Sequence, residues 1–129
     1  MAALIAYLDT HVVVMLTQPA RHLPRKAIAT LRQARLLKIS PATVLELQFL
    51  REIGRLNSSP DNFLEAAREA FTLEVCDQPF DDVVSAALAL SWTRDPFDRI
   101  IVAQADVGQG VLLTKDRQIL ENFKAATWD

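Results

Sequence analysis

The stretch Leu4-Ile5-Ala6-Tyr7-Leu8-Asp9 indicates the fold class of this chain, because it is a short apolar run that ends directly on an acid. An uninterrupted apolar run of this length is typical of a strand that is buried on both faces of a sheet. Residues 36–39 and 111–114 form similar runs, and residues 71–76 alternate between apolar and polar side chains. The sequence therefore predicts strands in these segments, with a last edge strand at 126–128.

Helix signals lie between the predicted strands. Ser40 precedes Pro41, Ser59 precedes Pro60, and Asp95 precedes Pro96, so each pair combines a capping oxygen with a proline at the first helical position. Gly54 is a suitable residue to end the first of these helices. The helices predicted in this way cover about 10–17, 26–36, 41–53, 60–70, 80–90, 96–105 and 116–123, and residues 19–24 are predicted to form a loop.

The alternation of strands and helices predicts the architecture. Strands that alternate with helices are expected to join by right-handed crossovers into a parallel sheet that is covered on both faces. We therefore predict a three-layer α/β/α domain with a four- or five-stranded, mainly parallel sheet. The 129 residues are half hydrophobic and contain no obvious linker, so residues 1–129 are expected to form one domain. Such sheets bind ligands beyond the carboxyl ends of their strands.

Composition excludes several classes of protein. The formal charge is −2, so a polyanion must be held by local basic residues or by metal ions. No run approaches the ~18 apolar residues of a membrane-spanning helix, and no basic leader precedes the first strand. The single Cys76 and two histidines cannot form an internal disulfide or a zinc-finger site. We expect a cytoplasmic protein with a reduced thiol.

Polar side chains follow the predicted strands. Asp9 ends the first strand, Ser40 follows the second, and Thr114 and Asp116 follow the strand at 111–114. Asp9, Ser40 and Asp116 are also suitable helix caps, which is the structural alternative for each of them. Asp98, in the first turn of its helix, could merely complement the helix dipole. Because parallel strands point the same way, these side chains are also expected to converge at one edge of the sheet.

Glu46 is harder to explain structurally. It lies at helical spacing among apolar residues, and no basic residue shares that stripe, which contains Ala42, Leu45, Phe49, Leu50 and Ile53. An ionised carboxylate buried alone there would cost several kcal/mol, so it needs a cation, a proton or a hydrogen-bond partner. We favour a functional role for Glu46 over a satisfied structural acid. Asp95, by contrast, is predicted to be only a helix cap.

The predicted gathering of acids indicates a metal site. Carboxylates without basic partners repel one another and raise each other's pKa values, and a divalent cation removes this conflict. Oxygen ligands favour Mg²⁺ or Mn²⁺ over zinc. Mg²⁺ is commonly held by a few carboxylates, while waters and substrate phosphates complete its coordination. The acids therefore suggest phosphate-ester chemistry.

Four segments, taken in order, resemble the PIN-domain nucleases. They are Leu8-Asp9-Thr10-His11, Ser40 with Glu46, Asp95-Pro96-Phe97-Asp98-Arg99 followed by Ala103-Gln104-Ala105, and Leu113-Thr114-Lys115-Asp116. The most similar branch is the VapC-type toxins of bacterial and archaeal toxin–antitoxin pairs, and the likeness spans nearly the whole chain. The resemblance implies an α/β/α fold, a ribonuclease activity that depends on Mg²⁺ or Mn²⁺, a small antitoxin partner and a homodimer.

The resemblance also implies roles for individual residues. The catalytic and metal-binding acids would be Asp9, Glu46, Asp98 and Asp116. The supporting polar residues would be Thr10, Ser40 and Thr114. Arg99 and Lys115 are candidates to bind RNA phosphate, although Arg99 could instead pair with Asp95 and Lys115 could be a solvated loop charge. No histidine is needed as a general base, so His11 is expected to support the site or the start of its helix.

Two other functions fit part of this pattern. A phosphoacceptor receiver domain is also α/β and of similar length, but it would have paired acids after the first strand, where this chain has one. A PIN-like domain that binds RNA or protein without cleaving it would share the fold, and the retained acids argue against it.

Overall fold

A computed structural model describes residues 4–18 and 22–129, so residues 19–21 of the predicted loop lie outside the described part of the chain. This part contains five strands and seven helices. In chain order they are β1 (Ile5–Leu8), α1 (Thr10–Leu16), α2 (Arg25–Gln33), β2 (Leu36–Ile39), α3 (Pro41–Glu52), α4 (Pro60–Arg68), β3 (Leu73–Val75), α5 (Phe80–Ala87), α6 (Pro96–Val107), β4 (Val111–Leu113), α7 (Arg117–Asn122) and β5 (Ala126–Thr127).

The strands form one sheet in the order β3-β2-β1-β4-β5, and every neighbouring pair is parallel. Strand β1 lies in the centre, where its neighbours cover both edges and helices cover both faces. This explains its continuous apolar sequence, because Ala6, Tyr7 and Leu8 are all buried. The predicted α/β class and parallel sheet are confirmed, and β5 lies at an edge as predicted.

The strand order excludes the receiver domain. Receiver domains have the order 2-1-3-4-5, in which the first strand lies between the second and third. Here β1 pairs with β2 on one side and with β4 on the other, so the order reverses between β1 and β4. Ligands of open α/β sheets bind in the crevice beyond the carboxyl ends of the strands at such a reversal. The residues that follow β1 and β4 therefore lie at the expected position of a site.

Alternate side chains of β1 point to two separate cores, as the period of a strand requires. Ala6 and Leu8 pack with α1, α2 and α4 in one core. Tyr7 packs on the opposite face with residues of α6 and α7 in the other. These two cores are the interfaces of the three predicted layers. No helix in residues 4–18 and 22–129 is long and apolar enough to cross a membrane.

The apolar stripe of α3 differs from the prediction. Leu45, Phe49 and Ile53 are 63%, 45% and 49% exposed, and the buried residues of this helix are Thr43 and Leu47. Each residue rotates an α-helix by about 100°, so the stripe lies roughly 200° from the buried face. The expectation that Glu46 is buried within an apolar core stripe is therefore wrong. Glu46 lies at the boundary of the face that carries Thr43, and its surroundings are polar.

Helix ends differ from the predicted ones by a few residues. Helix α2 ends at Gln33 rather than near 36, and α5 ends at Ala87 rather than near 90. Helix α6 continues to Val107, two residues beyond the prediction, although Asp106 and Val107 are both exposed. Helix ends fray, and the local pattern defines them only to within a few residues.

Candidate active site

Asp9 lies at the carboxyl end of β1 and caps α1. Its backbone N–H donates to the carbonyl of Leu113 in β4 (3.0 Å), and its Oδ1 accepts from the N–H of Thr10 (2.8 Å). Its Oδ2 accepts from the hydroxyl of Thr114 (2.7 Å), and the residue is only 4% exposed. The capping role that the sequence allowed is therefore present. These hydrogen bonds hold the carboxylate of Asp9 in one orientation, at the point where the strand order reverses.

Glu46 reaches the same region from α3. The Thr10 hydroxyl donates to Glu46 Oε1 and also lies 3.4 Å from the hydroxyl of Thr43. Burial raises the pKa of Glu46, and the charges of Asp9 and Asp95 act in the same direction, against the effect of the Thr10 hydrogen bond. The hydrogen-bond partner that the sequence required is thus Thr10, a residue of another helix.

Asp98 lies in the first turn of α6, which Asp95 caps through the N–H groups of Phe97 (2.8 Å) and Asp98 (3.3 Å). Burial raises the pKa of Asp98 from 3.8 to about 7. The further causes are the negative charges of Asp95, Asp9, Asp116 and Glu46. A carboxylate that merely complemented the helix dipole would have a lowered pKa, so repulsion and desolvation dominate at this position.

Asp116 caps α7 and is joined to Asp9 through Thr114. Its Oδ1 accepts from the N–H groups of Gln118 (2.9 Å) and Ile119 (3.2 Å), as the structural alternative predicts. Its own N–H donates to the Thr114 hydroxyl (3.1 Å), which in turn donates to Asp9. Thr114 is completely buried and connects the ends of β1 and β4.

His11 joins the start of α1 to the loop after β4. Its Nε2 accepts from the backbone N–H of Lys115 (3.1 Å), which requires that this nitrogen carry no proton. Its Nδ1 lies 3.6 Å from Asp9 Oδ2. Burial lowers the pKa of His11 despite the attraction of Asp9, in agreement with a neutral imidazole whose proton is on Nδ1. The sequence indicated a supporting role for His11 but not this contact, because Lys115 is remote in the chain.

The four predicted acids line one cleft of about 520 Å³. Thr10 and His11 lie in its lining beside them, and Arg55 and Lys115 lie on its walls. Arg55 was not singled out by sequence reasoning, since a lone arginine after a helix carries no signal. Gln18, Met15 and Asp95 are also part of the lining.

Two predicted site residues lie elsewhere. Ser40 caps α3 through the N–H of Ala42 (3.1 Å) and donates to the buried Gln104 of α6 (2.9 Å). The guanidinium of Arg99 donates to the carbonyls of Ala87 and Leu88 at the end of α5, at 3.1 to 3.2 Å. Neither residue is part of the cleft lining, so the structure does not bring Arg99 to the position that phosphate binding requires, nor into a pair with Asp95.

The donor set of the cleft fits a hard divalent cation. All four acids offer oxygen, which favours Mg²⁺ or Mn²⁺, and their mutual repulsion is visible in the raised pKa of Asp98. Among residues 4–18 and 22–129, no three acidic, histidine or cysteine side chains are close enough to hold one ion together. Mg²⁺ characteristically needs only one or two protein carboxylates, with waters and phosphate oxygens as the other ligands. The arrangement is therefore compatible with this ion although it is not a closed cage.

Comparisons with known proteins agree with this fold. A family model described as PIN domain matches residues 6–125. No curated protein matches the chain in sequence. VapBC2 from Rickettsia felis, solved with a DNA fragment from its promoter, is similar with a TM-score of 0.69 and 16% identity, over 98% of this chain and 100% of that chain. VapBC-1 from nontypeable Haemophilus influenzae has a TM-score of 0.64 and 16% identity over 98% and 97% of the two chains. A toxin–antitoxin complex from Klebsiella pneumoniae has a TM-score of 0.65 and 17% identity over 95% of each chain.

Proposed function

The chain belongs to the PIN domain family, and from that premise we propose that it is a metal-dependent endoribonuclease and the toxin of a toxin–antitoxin pair. The observation that carries the proposal is the convergence of Asp9, Glu46, Asp98 and Asp116 on one cleft at the reversal of strand order. The similarity in fold to two VapBC structures and a toxin–antitoxin complex supports the toxin role.

The four acids are the residues that would hold the cation. When bound, Mg²⁺ or Mn²⁺ would supply Lewis-acid chemistry that activates water and neutralises charge on the scissile phosphate. Without a cation, the pKa of about 7 means that a large fraction of Asp98 carboxyls keep their proton near neutral pH. The carboxylate becomes fully available as a ligand only when a positive charge compensates its neighbours.

The surrounding residues orient these acids. Thr114 holds Oδ2 of Asp9, Thr10 holds Oε1 of Glu46, and two backbone N–H groups of α7 hold Oδ1 of Asp116. Three of the four carboxylates therefore have defined orientations before substrate binds. Lys115 lies on the cleft wall with its backbone held by His11, which leaves its ammonium group available for an RNA phosphate. Such preorganisation lowers the entropy that substrate binding must overcome.

We propose a small antitoxin, a homodimer and a cytoplasmic location as the setting of this activity. The exposed apolar residues Leu45, Phe49 and Ile53 on α3 form a continuous stripe, which supports a protein interface on this helix. The similar VapBC structures support an antitoxin of the same kind.

The decisive experiment is an RNA cleavage assay with purified protein in Mn²⁺ or Mg²⁺, with and without chelator. We expect cleavage by the wild type with metal, no cleavage in chelator, and near-complete loss in Asp98→Asn. Asp106→Asn removes an exposed charge from the other end of α6, outside the cleft lining, so it is the matched control and should cleave normally. RNA binding without cleavage under all conditions would favour the non-cleaving alternative, which the absence of a three-residue metal cluster in the described part of the chain also allows.

A further inference from the structure

The cleft has a second basic wall, formed by Arg55. Helix α3 ends where Gly54 adopts a positive φ of 82°, which glycine tolerates without strain. The N–H groups of Arg55 and Leu56 then both donate to the carbonyl of Leu50, at 2.9 and 3.3 Å. This turn holds the backbone of Arg55 firmly, so its side chain projects from a defined position on the cleft wall.

Arg55 has no carboxylate partner in the part of the chain that the structure describes. The ion pair found there joins Lys38 to Glu74, and the neutral His11 lies beside Asp9. An exposed guanidinium beside an acidic cleft, with none of the acids paired to it, remains available for an external anion. Arginine suits phosphate in particular, because its planar fork can donate two parallel hydrogen bonds.

A groove of about 500 Å³ continues from the cleft past Arg55, and we refer to it as the side groove. It shares Val14, Gln18, Arg55 and Leu56 with the cleft, so the two are continuous. Its other lining includes Thr17, Asn57 and Phe63. The volume is in the range of small-ligand pockets, which suits one nucleotide.

Charge distinguishes the side groove from the groove on the opposite side of the cleft. Residues 4–18 and 22–129 contribute no carboxylate to the lining of the side groove, where Arg55 is the charged group. The other groove shares Lys115 with the cleft and is also lined by Arg117, but Glu121 and Asp129 offset these two positive charges. A polyanion that crosses the acids is therefore better accommodated on the Arg55 side.

We propose that the side groove binds the nucleotide next to the scissile phosphate of single-stranded RNA, with Arg55 on its phosphate. Gln18 and Asn57 offer amide groups to the edges of the base, and the ring of Phe63 offers a surface against which a base packs. Single-stranded RNA is recognised in this way, by aromatic packing and hydrogen bonds to base edges. This inference rests on the proposed ribonuclease function and names the part of the chain that selects the substrate.

The first test compares Arg55→Ala with Arg51→Ala. Arg51 is an exposed arginine on α3 that lines a different groove, so it is a matched control for the loss of one charge. All variants carry Asp98→Asn to prevent cleavage, and binding of a fluorescein-labelled single-stranded RNA is followed by anisotropy over a salt series. We expect Arg55→Ala to raise Kd about tenfold, the effect of one charge-assisted hydrogen bond. The slope of log K against log salt should fall by about 0.7, the value for one phosphate of a single strand.

Arg55→Lys keeps the charge and should therefore retain the salt slope while binding more weakly. Thermal melts of each variant verify that the fold is intact. If Arg55→Ala and Arg51→Ala bind RNA with equal affinity and equal salt slope, while the wild type with Asp98 intact cleaves RNA, then RNA binding by the side groove is refuted and the proposed ribonuclease function is not. A wild type that neither binds nor cleaves RNA would overturn both.

The second test concerns base recognition. Gln18→Ala and Asn57→Ala should change the preferred cleavage sequence, read by mapping the cut sites in a mixed RNA pool, while the salt slope stays at the wild-type value. Unchanged cut sites in both variants would overturn base recognition by the groove. If Arg55→Ala binds RNA normally but no longer retains a co-expressed small protein, the groove belongs to a protein partner and the proposal is wrong.

Discussion

Asp98→Asn should stabilise the metal-free protein at neutral and alkaline pH. In the folded chain, burial and the neighbouring acids raise the pKa of Asp98 from 3.8 to about 7. At 1.36 kcal/mol per pKa unit this corresponds to about 4 kcal/mol of unfavourable free energy for the ionised folded state. Because the carboxyl group is not fully shielded from water, we expect about 2–4 kcal/mol. The asparagine variant lacks this charge and should be more stable by a similar amount above pH 7.

The sign follows from the proton balance. The unfolded chain releases the Asp98 proton near pH 4, whereas the folded chain holds it until about pH 7. Below about pH 4 the carboxyl group is protonated in both states and does not destabilise the folded chain. As the pH rises from about 4 to about 7, the free energy of unfolding falls through this group, and above about pH 7 the loss is constant. Between pH 5 and pH 8 the wild type should lose up to about 2.7 kcal/mol of unfolding free energy through this group. The Asp98→Asn variant should not show that component of the pH dependence.

A divalent cation should remove most of this difference in stability. It binds the folded acids and has little affinity for the unfolded chain, so at 100 times Kd it stabilises the wild type by about 2.7 kcal/mol. For a domain of this size that is a rise in Tm of roughly 10 °C. Asp98→Asn should lose most of this rise, whereas Asp106→Asn, which removes an exposed charge on α6 outside the cleft, should retain it.

Thermal melts at pH 5 and pH 8, in chelator and in excess Mn²⁺, measure both effects on the three proteins. An equal Mn²⁺-induced shift in wild type and Asp98→Asn would mean that the ion binds elsewhere and that Asp98 is only a helix-terminal acid. Equal pH dependence of the two metal-free proteins would refute the argument from burial and repulsion.

Three further predictions concern activity. Asp9→Asn and Glu46→Gln should each nearly abolish RNA cleavage in Mn²⁺ while Asp116→Asn weakens it less; wild-type initial rates for the first two would disprove the assigned site. Product analysis should find 5′-phosphate and 3′-hydroxyl ends, because water attacks phosphorus directly, and cyclic phosphate ends would instead indicate attack by the ribose 2′-hydroxyl. Purification from the native host should yield a complex with a small antitoxin that inhibits cleavage by means of a basic residue in the acidic cleft; recovery of a free monomer that is not toxic on overproduction would contradict the toxin role.

The fold could be predicted largely because its signals are local. Continuous apolar runs such as the one before Asp9 predict buried strands, and serine followed by proline predicts the start of a helix wherever it occurs here. Strand β5 and the caps at Ser40, Ser59 and Asp95 lie where these local rules place them. The helix ends were less accurate, since the last turn of a helix frays and the local pattern defines its end only to within a few residues.

The candidate site was predictable only in part, because its acids come from four segments that are remote in the chain. Asp9 and Asp116 follow strands of a parallel sheet, which allowed their convergence to be predicted, whereas Glu46 and Asp98 lie within helices. The argument for Glu46 from an apolar stripe was wrong. Arg99 and Ser40 have the residue types of a site, but their hydrogen bonds to Ala87, Leu88 and Gln104 lie away from the cleft.

By itself, the sequence determined where the strands and helices form and which acids follow the strands, because these depend on hydrophobic patterning and capping within a few residues. Only the tertiary structure decided the strand order, the rotation of α3 that exposes Leu45 and Phe49, and the contact of His11 with Lys115. It also decided that Arg55 reaches the cleft and that Arg99 does not. The physical reason is that these features depend on packing between segments distant in sequence, where burial and charge are properties of the assembled fold and not of any one segment.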